Sequence, residues 1–342
     1  ESHRESWDIC LNRNYRTSKA RWRRWLLPAV SCLLVLSLTA GEAAAALADD
    51  IIRKAPQNTP KVEGLVLSPD DALPRVTARS AVVMEARTGR VLYERNMNER
   101  RFPASTTKIM TLIIALERGN LDDVVTVSAH AAGTEGSTIW LAPGDKITLR
   151  ELLYGMMLHS GNDATVAVAE HIAGSVDAFA RLMTAKAKEL GATDTHFVNA
   201  NGLPDDAHYT TAHDMALIAS YGYSLPGFEE IVSTKEITFP WVKDETHRLR
   251  NENQMLWLYE GGNGIKTGYT EAAGRCLVSA AKRDGIQLVA VVLDSNWMWN
   301  DSILLLDYGF RQIDTVTVVK AGTKVGSCAV SGSGVRRIEA QA

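Results

Sequence analysis

A serine stands three residues before a lysine in the stretch F-P-A-S-T-T-K-I-M, residues 102–110. A serine hydroxyl is a weak nucleophile at neutral pH and needs a base within hydrogen-bonding distance. Residues three apart on a helix share a face, so the amine of Lys108 would lie one turn from the hydroxyl of Ser105. Lysine acts as a base only when it is uncharged, which requires a lowered pKa. The pair therefore predicts a serine nucleophile with a lysine base.

Two further short motifs follow in order along the chain, Ser160-Gly161-Asn162 and Lys266-Thr267-Gly268. Each motif alone occurs readily by chance, and the bland interpretation is a helix cap, a loop and a solvated lysine. The order of all three, each in a suitable local context, favours a single site. Burial against the apolar run after Ser105, with Lys266 close by, would lower the pKa of Lys108.

The remaining positions of these motifs suit the other tasks of an acyl-transfer site. Ser160 is suited to pass a proton to a leaving amine, and Asn162 to hold a substrate amide. Lys266 and Thr267 offer a charge and a hydroxyl for a substrate carboxylate. Gly268 lets a strand edge approach the start of the helix, where N–H groups lack intrahelical partners. The expected oxyanion donors are two backbone N–H groups, those of Ser105 and Tyr269.

The elements that position these motifs follow from apolar periodicity and turn residues. Strands are predicted on either side of R-T-G-R near residue 88 and of R-D-G near residue 284, which makes two hairpins. Apolar residues recur at helical spacing from Ser105 to Gly119, and a capping box opens a second helix at Thr148. Further helices are predicted over 177–191, after Thr211 with another capping box, and over 301–312. Strands, a helical block, strands and a helix predict an α/β (α+β) fold, with an antiparallel sheet flanked by helices and an inserted helical subdomain.

Composition sets the broad class of the protein. The 342 residues are 46% hydrophobic and 23% charged with a net charge of −3, which supplies a sizeable core and gives no indication of a nucleic-acid partner. Three arginines before the apolar run 26–38, followed by small residues, predict a secretory signal peptide region over 1–48. An uncleaved membrane anchor is the alternative. The polar, proline-containing stretch 49–77 is predicted to be a linker, and 78–315 the catalytic domain.

The C-terminal residues 316–342 hold two short predicted strands, which cannot bury a core unaided and are interpreted as the incomplete start of a β-rich domain. Removal of the signal would leave two cysteines, Cys276 and Cys328. Export would allow them to form a disulfide, but Cys276 lies in an alternating stretch where a small buried apolar residue is the favoured role.

With these motifs in place, the sequence resembles the D-alanyl-D-alanine carboxypeptidases, low-molecular-weight penicillin-binding proteins of serine peptidase family S11. The resemblance runs from about residue 78 to 312 and includes the segments E-G-S-T-I-W-L, F-V-N-A-N-G-L-P-D and H-Y-T-T-A-H-D-M-A. It implies a β-lactamase/transpeptidase-like fold, removal of the terminal D-alanine from peptidoglycan stem pentapeptides through an acyl-serine, and covalent trapping by β-lactams. It implies no cofactor. Site residues carried over by the resemblance are Ser105, Lys108, Ser160, Asn162, Lys266 and Thr267.

Relatives of this family usually continue into a small β-rich domain and an amphipathic helix that holds the enzyme to the outer face of the membrane. Only the first part of that domain is visible in this sequence, and no amphipathic helix follows it. The sequence therefore leaves peripheral membrane contact open, while export to the extracytoplasmic side of the envelope is expected.

Several alternatives remain open from the residues. A β-lactamase would share the three motifs, but the class A arrangement of a glutamate four residues before an asparagine is absent between Ser160 and Lys266. A transpeptidase would use the same acyl-enzyme with an amine acceptor. A β-lactam-sensing module would tolerate loss of Lys108 or Ser160, and both are present. A metallopeptidase is disfavoured because the histidines form no compact ligand pattern: His159, His171, His196, His208 and His213.

Overall fold

The structure is a computed structural model that describes residues 73–242 and 248–313 in full. For two strands near the C-terminus the backbone alone is described. The predicted signal peptide region 1–48 lies outside the described residues, as do residues 49–72 of the predicted linker. Residues 74–77, which the sequence assigns to the end of that linker, contact the fold: Val76 is buried, and the Pro74 carbonyl accepts a hydrogen bond from the Tyr93 hydroxyl.

Eleven strands occur in the described parts of the chain. In chain order they are β1 (Ser80–Glu85), β2 (Val91–Arg95), β3 (Val124–Thr126), β4 (Lys146–Thr148), β5 (Glu236–Thr238), β6 (Arg248–Arg250), β7 (Gly262–Thr270), β8 (Gly274–Arg283), β9 (Ile286–Ser295), β10 (Lys324–Ala329) and β11 (Arg337–Gln341). The main sheet is antiparallel, with order β2-β1-β9-β8-β7. Both predicted hairpins are confirmed, and so is a sheet whose strands come from the two ends of the domain.

The helical block lies between β2 and β7 along the chain, as the sequence predicts. The described helices are α1 (Lys108–Arg118), α2 (Ala129–Ala132), α3 (Leu149–Leu158), α4 (Asn162–Ala173), α5 (Val176–Glu189), α6 (Ala212–Gly222), α7 (Phe228–Ser233), α8 (Met255–Leu258) and α9 (Met298–Gln312). One turn of 3-10 helix, Ala104–Thr107, precedes α1. Two small sheets, β3–β4 and β5–β6, accompany the block.

Alternation along the central strand β9 explains why the sheet is buried on both faces. Val289, Val291 and Leu293 belong to the core shared with the helical block. Their neighbours Leu288, Ala290 and Val292 belong to a second core that includes Leu305 and Leu306 of α9. Since successive side chains of a strand point to opposite faces, one apolar run supplies both layers. The sheet is thus a fixed platform between two helical layers.

Two N-terminal caps test the local interpretation of the helices. At α3, the Thr148 hydroxyl accepts from the Glu151 N–H and the Glu151 carboxylate accepts from the Thr148 N–H, so the predicted capping box is confirmed. At α6, the Thr211 hydroxyl accepts from the N–H of Asp214. The second hydrogen bond of the predicted capping box, from the Thr211 N–H to the Asp214 carboxylate, is not formed, so that part of the prediction is wrong. The Asp214 carboxylate instead accepts from the N–H of Asp194 and the hydroxyl of Thr195, because a longer-range partner is available to it.

Strands β10 and β11 pair antiparallel, in agreement with the two short strands expected at the C-terminus. That they begin a β-rich domain stays a prediction. Cys276 is a free, buried thiol on β8, and burial raises its pKa to about 12. It therefore packs as a small apolar residue, the role that the sequence favours.

A buried carboxylate joins the first and last parts of the domain. Asp301, at the start of α9, accepts hydrogen bonds from the N–H and hydroxyl of Thr77, the N–H of Ala78 and the hydroxyl of Ser295. These groups lie before β1 and at the end of β9. A single side chain therefore holds the segment before β1 next to the end of the central strand β9.

Replacing Asp301 by Asn is expected to lower the free energy of unfolding by about 2–3 kcal/mol, because one acceptor oxygen becomes a donor facing buried donors. Urea unfolding followed by circular dichroism measures the change. Asp284→Asn, in the exposed β8–β9 turn, is the matched control and should stay within about 0.5 kcal/mol of the unmodified protein. Equal stability of the two variants would contradict a stabilising role for the hydrogen bonds that Asp301 accepts.

Candidate active site

Ser105 lies in the 3-10 turn that leads into α1, so its position at the front of a helix is as predicted. The residue before it, Ala104, has a φ of 48°, a left-handed conformation that is uncommon for residues with a Cβ atom. Neighbouring segments hold this turn from two sides. A Cβ atom on Gly268 would lie 2.9 Å from the Ser105 nitrogen, and one on Gly202 would lie 1.8 Å from the Ala104 carbonyl oxygen. Strand β7 at Gly268 and the loop at Gly202 thus lie so close to this turn that neither position leaves room for a Cβ atom.

The amino group of Lys108 has three oxygen neighbours. Its Nζ lies 2.9 Å from Ser105 Oγ, 2.7 Å from Asn162 Oδ1 and 2.8 Å from the Asn201 carbonyl oxygen. The side chain is fully buried. Burial, and to a smaller extent the charge of Lys266, hold the pKa of Lys108 well below its ordinary value.

These contacts match an uncharged amine. A neutral lysine has two N–H donors and one lone pair. Both donors find acceptors that cannot donate, the amide oxygen of Asn162 and the carbonyl of Asn201. The lone pair then remains for the hydroxyl proton of Ser105. An ammonium would instead donate to all three oxygens, so the geometry fits both forms, and the lowered pKa of Lys108 favours the uncharged one.

The second motif forms the link between α3 and α4. Ser160 has a φ of 61° and is 4% exposed, and Asn162 is the first residue of α4. Both halves of the Asn162 amide bond protein groups, since its Nδ2 donates to the Glu135 carbonyl at 2.8 Å while its Oδ1 accepts from Lys108. In this structure Asn162 therefore orients the lysine, in addition to the substrate contact that the sequence assigns to it.

The third motif lies on β7, at the edge of the main sheet. Lys266 is 1% exposed, and its Nζ lies 3.3 Å from Thr267 Oγ1. Burial lowers the pKa of Lys266, and the adjacent Glu252 carboxylate opposes that shift. The Tyr269 side chain is exposed. The oxyanion roles of the Ser105 and Tyr269 N–H groups stay predictions.

Two contact residues escaped the sequence analysis. Asn201 belongs to the segment F-V-N-A-N-G-L-P-D, which served only for family resemblance, and it acts through a backbone carbonyl that any residue type would supply. Its turn is held by Asn199 Oδ1, which accepts from the N–H of Gly202. Glu252 carries no motif, yet its Oε2 lies 3.3 Å from Thr267 Oγ1 and 3.8 Å from Lys266 Nζ.

One histidine, His208, is hydrogen-bonded to the 3-10 turn that contains Ser105. His208 Nδ1 accepts from the Val198 N–H, so its Nε2 donates to Thr107 Oγ1 at 2.8 Å. Burial lowers the pKa of His208 to about 4, which keeps the ring neutral. Among residues 73–242 and 248–313, no group of three or more histidine, cysteine or acidic side chains is arranged to hold a metal ion. The buried His208 ring thus links the Val198 N–H to the Thr107 hydroxyl through its two hydrogen bonds.

Comparisons with known proteins identify the family that this chain matches. The profile of the D-alanyl-D-alanine carboxypeptidase family, peptidase family S11, matches residues 68–296. The D-alanyl-D-alanine carboxypeptidase DacF of Bacillus subtilis is 39% identical over 270 residues, which cover 77% of this chain and 69% of the relative. DacC of Escherichia coli is 37% identical over 263 residues, which cover 72% of this chain and 64% of the relative. The chain thus spans about two thirds of the length of these curated relatives.

Solved structures give the same architecture. A single-residue variant of the Streptomyces K15 DD-transpeptidase matches with a TM-score of 0.66 and 34% identity, over 70% of this chain and all of that one. A D-alanyl-D-alanine carboxypeptidase from Mycobacterium tuberculosis matches with a TM-score of 0.66 and 31% identity, over 74% of this chain and 96% of that one. The β-lactamase/transpeptidase-like fold expected from the sequence is confirmed.

Replacing Gly202 by Ala is expected to destabilise the protein by more than about 3 kcal/mol, because the new methyl group would overlap the Ala104 carbonyl and the φ of Gly202 is +90°. Gly174→Ala is the matched control: its φ is +76°, but a Cβ atom there meets nothing within 4 Å. The control should lose only about 1 kcal/mol in urea unfolding. Similar losses in both variants would show that backbone conformation, and not close approach, constrains Gly202.

Proposed function

Because the chain belongs to the D-alanyl-D-alanine carboxypeptidases of serine peptidase family S11, we propose that it removes the terminal D-alanine from peptidoglycan stem pentapeptides. It is a serine peptidase by family, and the reaction runs through an acyl-serine intermediate. The observation that carries the assignment of residues is the contact between Ser105 Oγ and the buried Lys108 Nζ. A serine next to an unprotonated lysine is what acyl transfer without a histidine base requires.

In the proposed acylation step, the Ser105 oxygen attacks the carbonyl between the last two D-alanines while its proton moves to Lys108. Negative charge develops on the carbonyl oxygen, which accepts hydrogen bonds from the N–H groups of Ser105 and Tyr269. Lys266 and Thr267 hold the terminal carboxylate. Ser160 relays the proton to the leaving amine, and the bond to the terminal D-alanine breaks.

Deacylation reverses the roles. A water molecule gives a proton to the amine of Lys108 and attacks the ester carbonyl, and the shortened peptide leaves with a new carboxylate. Ser105 recovers its proton, so the enzyme returns to its starting state. A β-lactam enters by the same attack, but the opened ring stays attached and offers no departing amine. Covalent β-lactam binding is general in this family.

Transpeptidation is a second candidate, since a neighbour of this chain is a DD-transpeptidase. The acyl-enzyme would be the same and an amine would replace water. Adding glycine to an assay with a stem pentapeptide separates the two, because transfer replaces the terminal D-alanine by glycine whereas hydrolysis yields the tetrapeptide. We expect hydrolysis to dominate. A β-lactamase would instead turn over penicillin rapidly and a sensor would bind it without releasing D-alanine.

We further infer that the protein acts outside the cytoplasm, where its proposed substrate is assembled into the wall, after export directed by residues 1–48. Peripheral contact with the outer face of the membrane is part of the same proposal. In the parts of the chain that the structure describes, none of the helices is both long and apolar enough to cross a bilayer.

Ser105→Ala is expected to abolish both labelling by a fluorescent penicillin and D-alanine release from a diacylated Lys-D-Ala-D-Ala peptide, because no acyl-enzyme can form. Gel fluorescence and a coupled D-alanine assay measure the two signals, and thermal unfolding verifies the fold. Ser224→Ala, at an exposed serine between α6 and α7, should keep full activity. Continued D-alanine release by the Ser105 variant would refute the nucleophile assignment.

The rate of acylation by penicillin should fall about tenfold per pH unit below the pKa of Lys108, since the protonated amine cannot accept the serine proton. This acidic limb of the pH profile lies well below the pH at which an ordinary lysine loses its proton, because burial and, to a smaller extent, the charge of Lys266 lower the pKa of Lys108. Lys266→Met removes that charge, so the pKa of Lys108 rises and the limb moves to higher pH. Stopped-flow acylation across pH measures it, with the exposed Lys282→Met as control. A limb that stays in place would exclude Lys108 as the titrating base.

A further inference from the structure

Glu252 lies beside the two residues proposed to bind the substrate carboxylate. Its Oε2 accepts a hydrogen bond from Thr267 Oγ1 at 3.3 Å and lies 3.8 Å from Lys266 Nζ. The two partners also contact each other, with Lys266 Nζ 3.3 Å from Thr267 Oγ1. One carboxylate oxygen therefore sits against an ammonium and a hydroxyl that are already adjacent.

This arrangement is the one that a peptide's terminal carboxylate would make. A carboxylate binds most strongly where a cation and a hydroxyl donor converge on it. Lys266 is 1% exposed and its amine is directed at the Thr267 hydroxyl, so an arriving carboxylate finds both donors at the position that Glu252 Oε2 occupies. Simultaneous occupation would bring two negative charges within a few ångströms of each other.

The side chain of Glu252 is free to move away from this position. Its side chain is 42% exposed, whereas the partner Lys266 is almost completely enclosed. Its backbone is fixed independently of the side chain, because the Glu252 N–H donates to the Leu158 carbonyl at 3.0 Å. The side chain can therefore rotate into solvent while the chain around it stays in place.

We propose that Glu252 is a specificity-determining residue, an internal carboxylate that competes with the terminal carboxylate of the substrate for Lys266 and Thr267. The inference rests on the proposed function, since it assumes that these two residues bind the D-alanine carboxylate. Binding of substrate displaces the Glu252 side chain to solvent, so its contacts with Lys266 and Thr267 are lost. Ligands that bring no carboxylate to this position leave the contacts intact.

A competing carboxylate and a supporting one have opposite effects on affinity. If Glu252 served to position Lys266 for the substrate, its removal would weaken binding. If Glu252 competes, its removal strengthens binding. The conservative variant Glu252→Gln distinguishes the two, because it keeps an oxygen that can accept from Thr267 but removes the charge.

The test compares Glu252→Gln with the unmodified protein on two probes. The first is the diacylated Lys-D-Ala-D-Ala peptide, whose KM is expected to fall about three- to tenfold in the variant, with kcat within about twofold. The second is a peptide boronic acid ending in the boron analogue of D-alanine, which bonds to the serine but lacks the last residue and its carboxylate. Its inhibition constant should stay within about twofold.

Glu260→Gln is the matched control, since Glu260 is an exposed carboxylate at the far end of the segment before β7. It removes the same charge and should leave both probes unchanged. Thermal unfolding of both variants verifies that the fold is kept.

Three results would overturn the inference: a KM that is unchanged in Glu252→Gln, a KM that rises, or equal tightening of the peptide and the boronic acid. The last would place the effect at Ser105 and Lys108. Failure of the unmodified protein to release D-alanine would overturn the proposed function itself. An active unmodified protein with an unresponsive Glu252→Gln would overturn the role of Glu252 alone.

Discussion

The site depends on a single buried amine. Lys108 Nζ contacts a serine one turn away on its own helical segment, an amide at the start of α4 and a carbonyl in the loop before α6. In water such an amine would keep its proton, and the serine beside it would remain unreactive. Burial by the helical block holds the pKa of Lys108 well below its ordinary value, which the proposed role of this lysine as a base requires. The apolar packing around α1 therefore bears directly on that proposed role.

Two lysines with opposite environments share the site. The polar partners of Lys108 are neutral oxygens, so burial dominates and the uncharged form is favoured. Lys266 is buried as well, but the Glu252 carboxylate and the Thr267 hydroxyl lie next to it, and Glu252 counteracts the loss of water. The two lysines therefore share burial but differ in their neighbours, since an acidic side chain lies close to Lys266 and neutral oxygens surround Lys108.

The sequence predicted what depends on residue type and spacing. Three motifs, two hairpins and the capping box at Thr148 each carry a local signature, and the order of elements was enough to place a helical block within an antiparallel sheet. It missed what depends on backbone or on distant partners. The Asn201 contact is made by a carbonyl that every residue has, and Glu252 reaches Lys266 from a segment without periodicity. The expected box at Thr211 is half formed because Asp214 is engaged by residues about twenty positions earlier, which no local pattern reveals.

The strand order also governs when the domain can be completed. Strand β1 lies between β2, which follows at once, and β9, whose Ala290 pairs with Val83 roughly 200 residues earlier. At about 5–20 residues per second, a ribosome needs about 10–40 s to make that intervening length. Until then the first hairpin has an unpaired edge and no central strand to join, so the emerging chain cannot close its sheet.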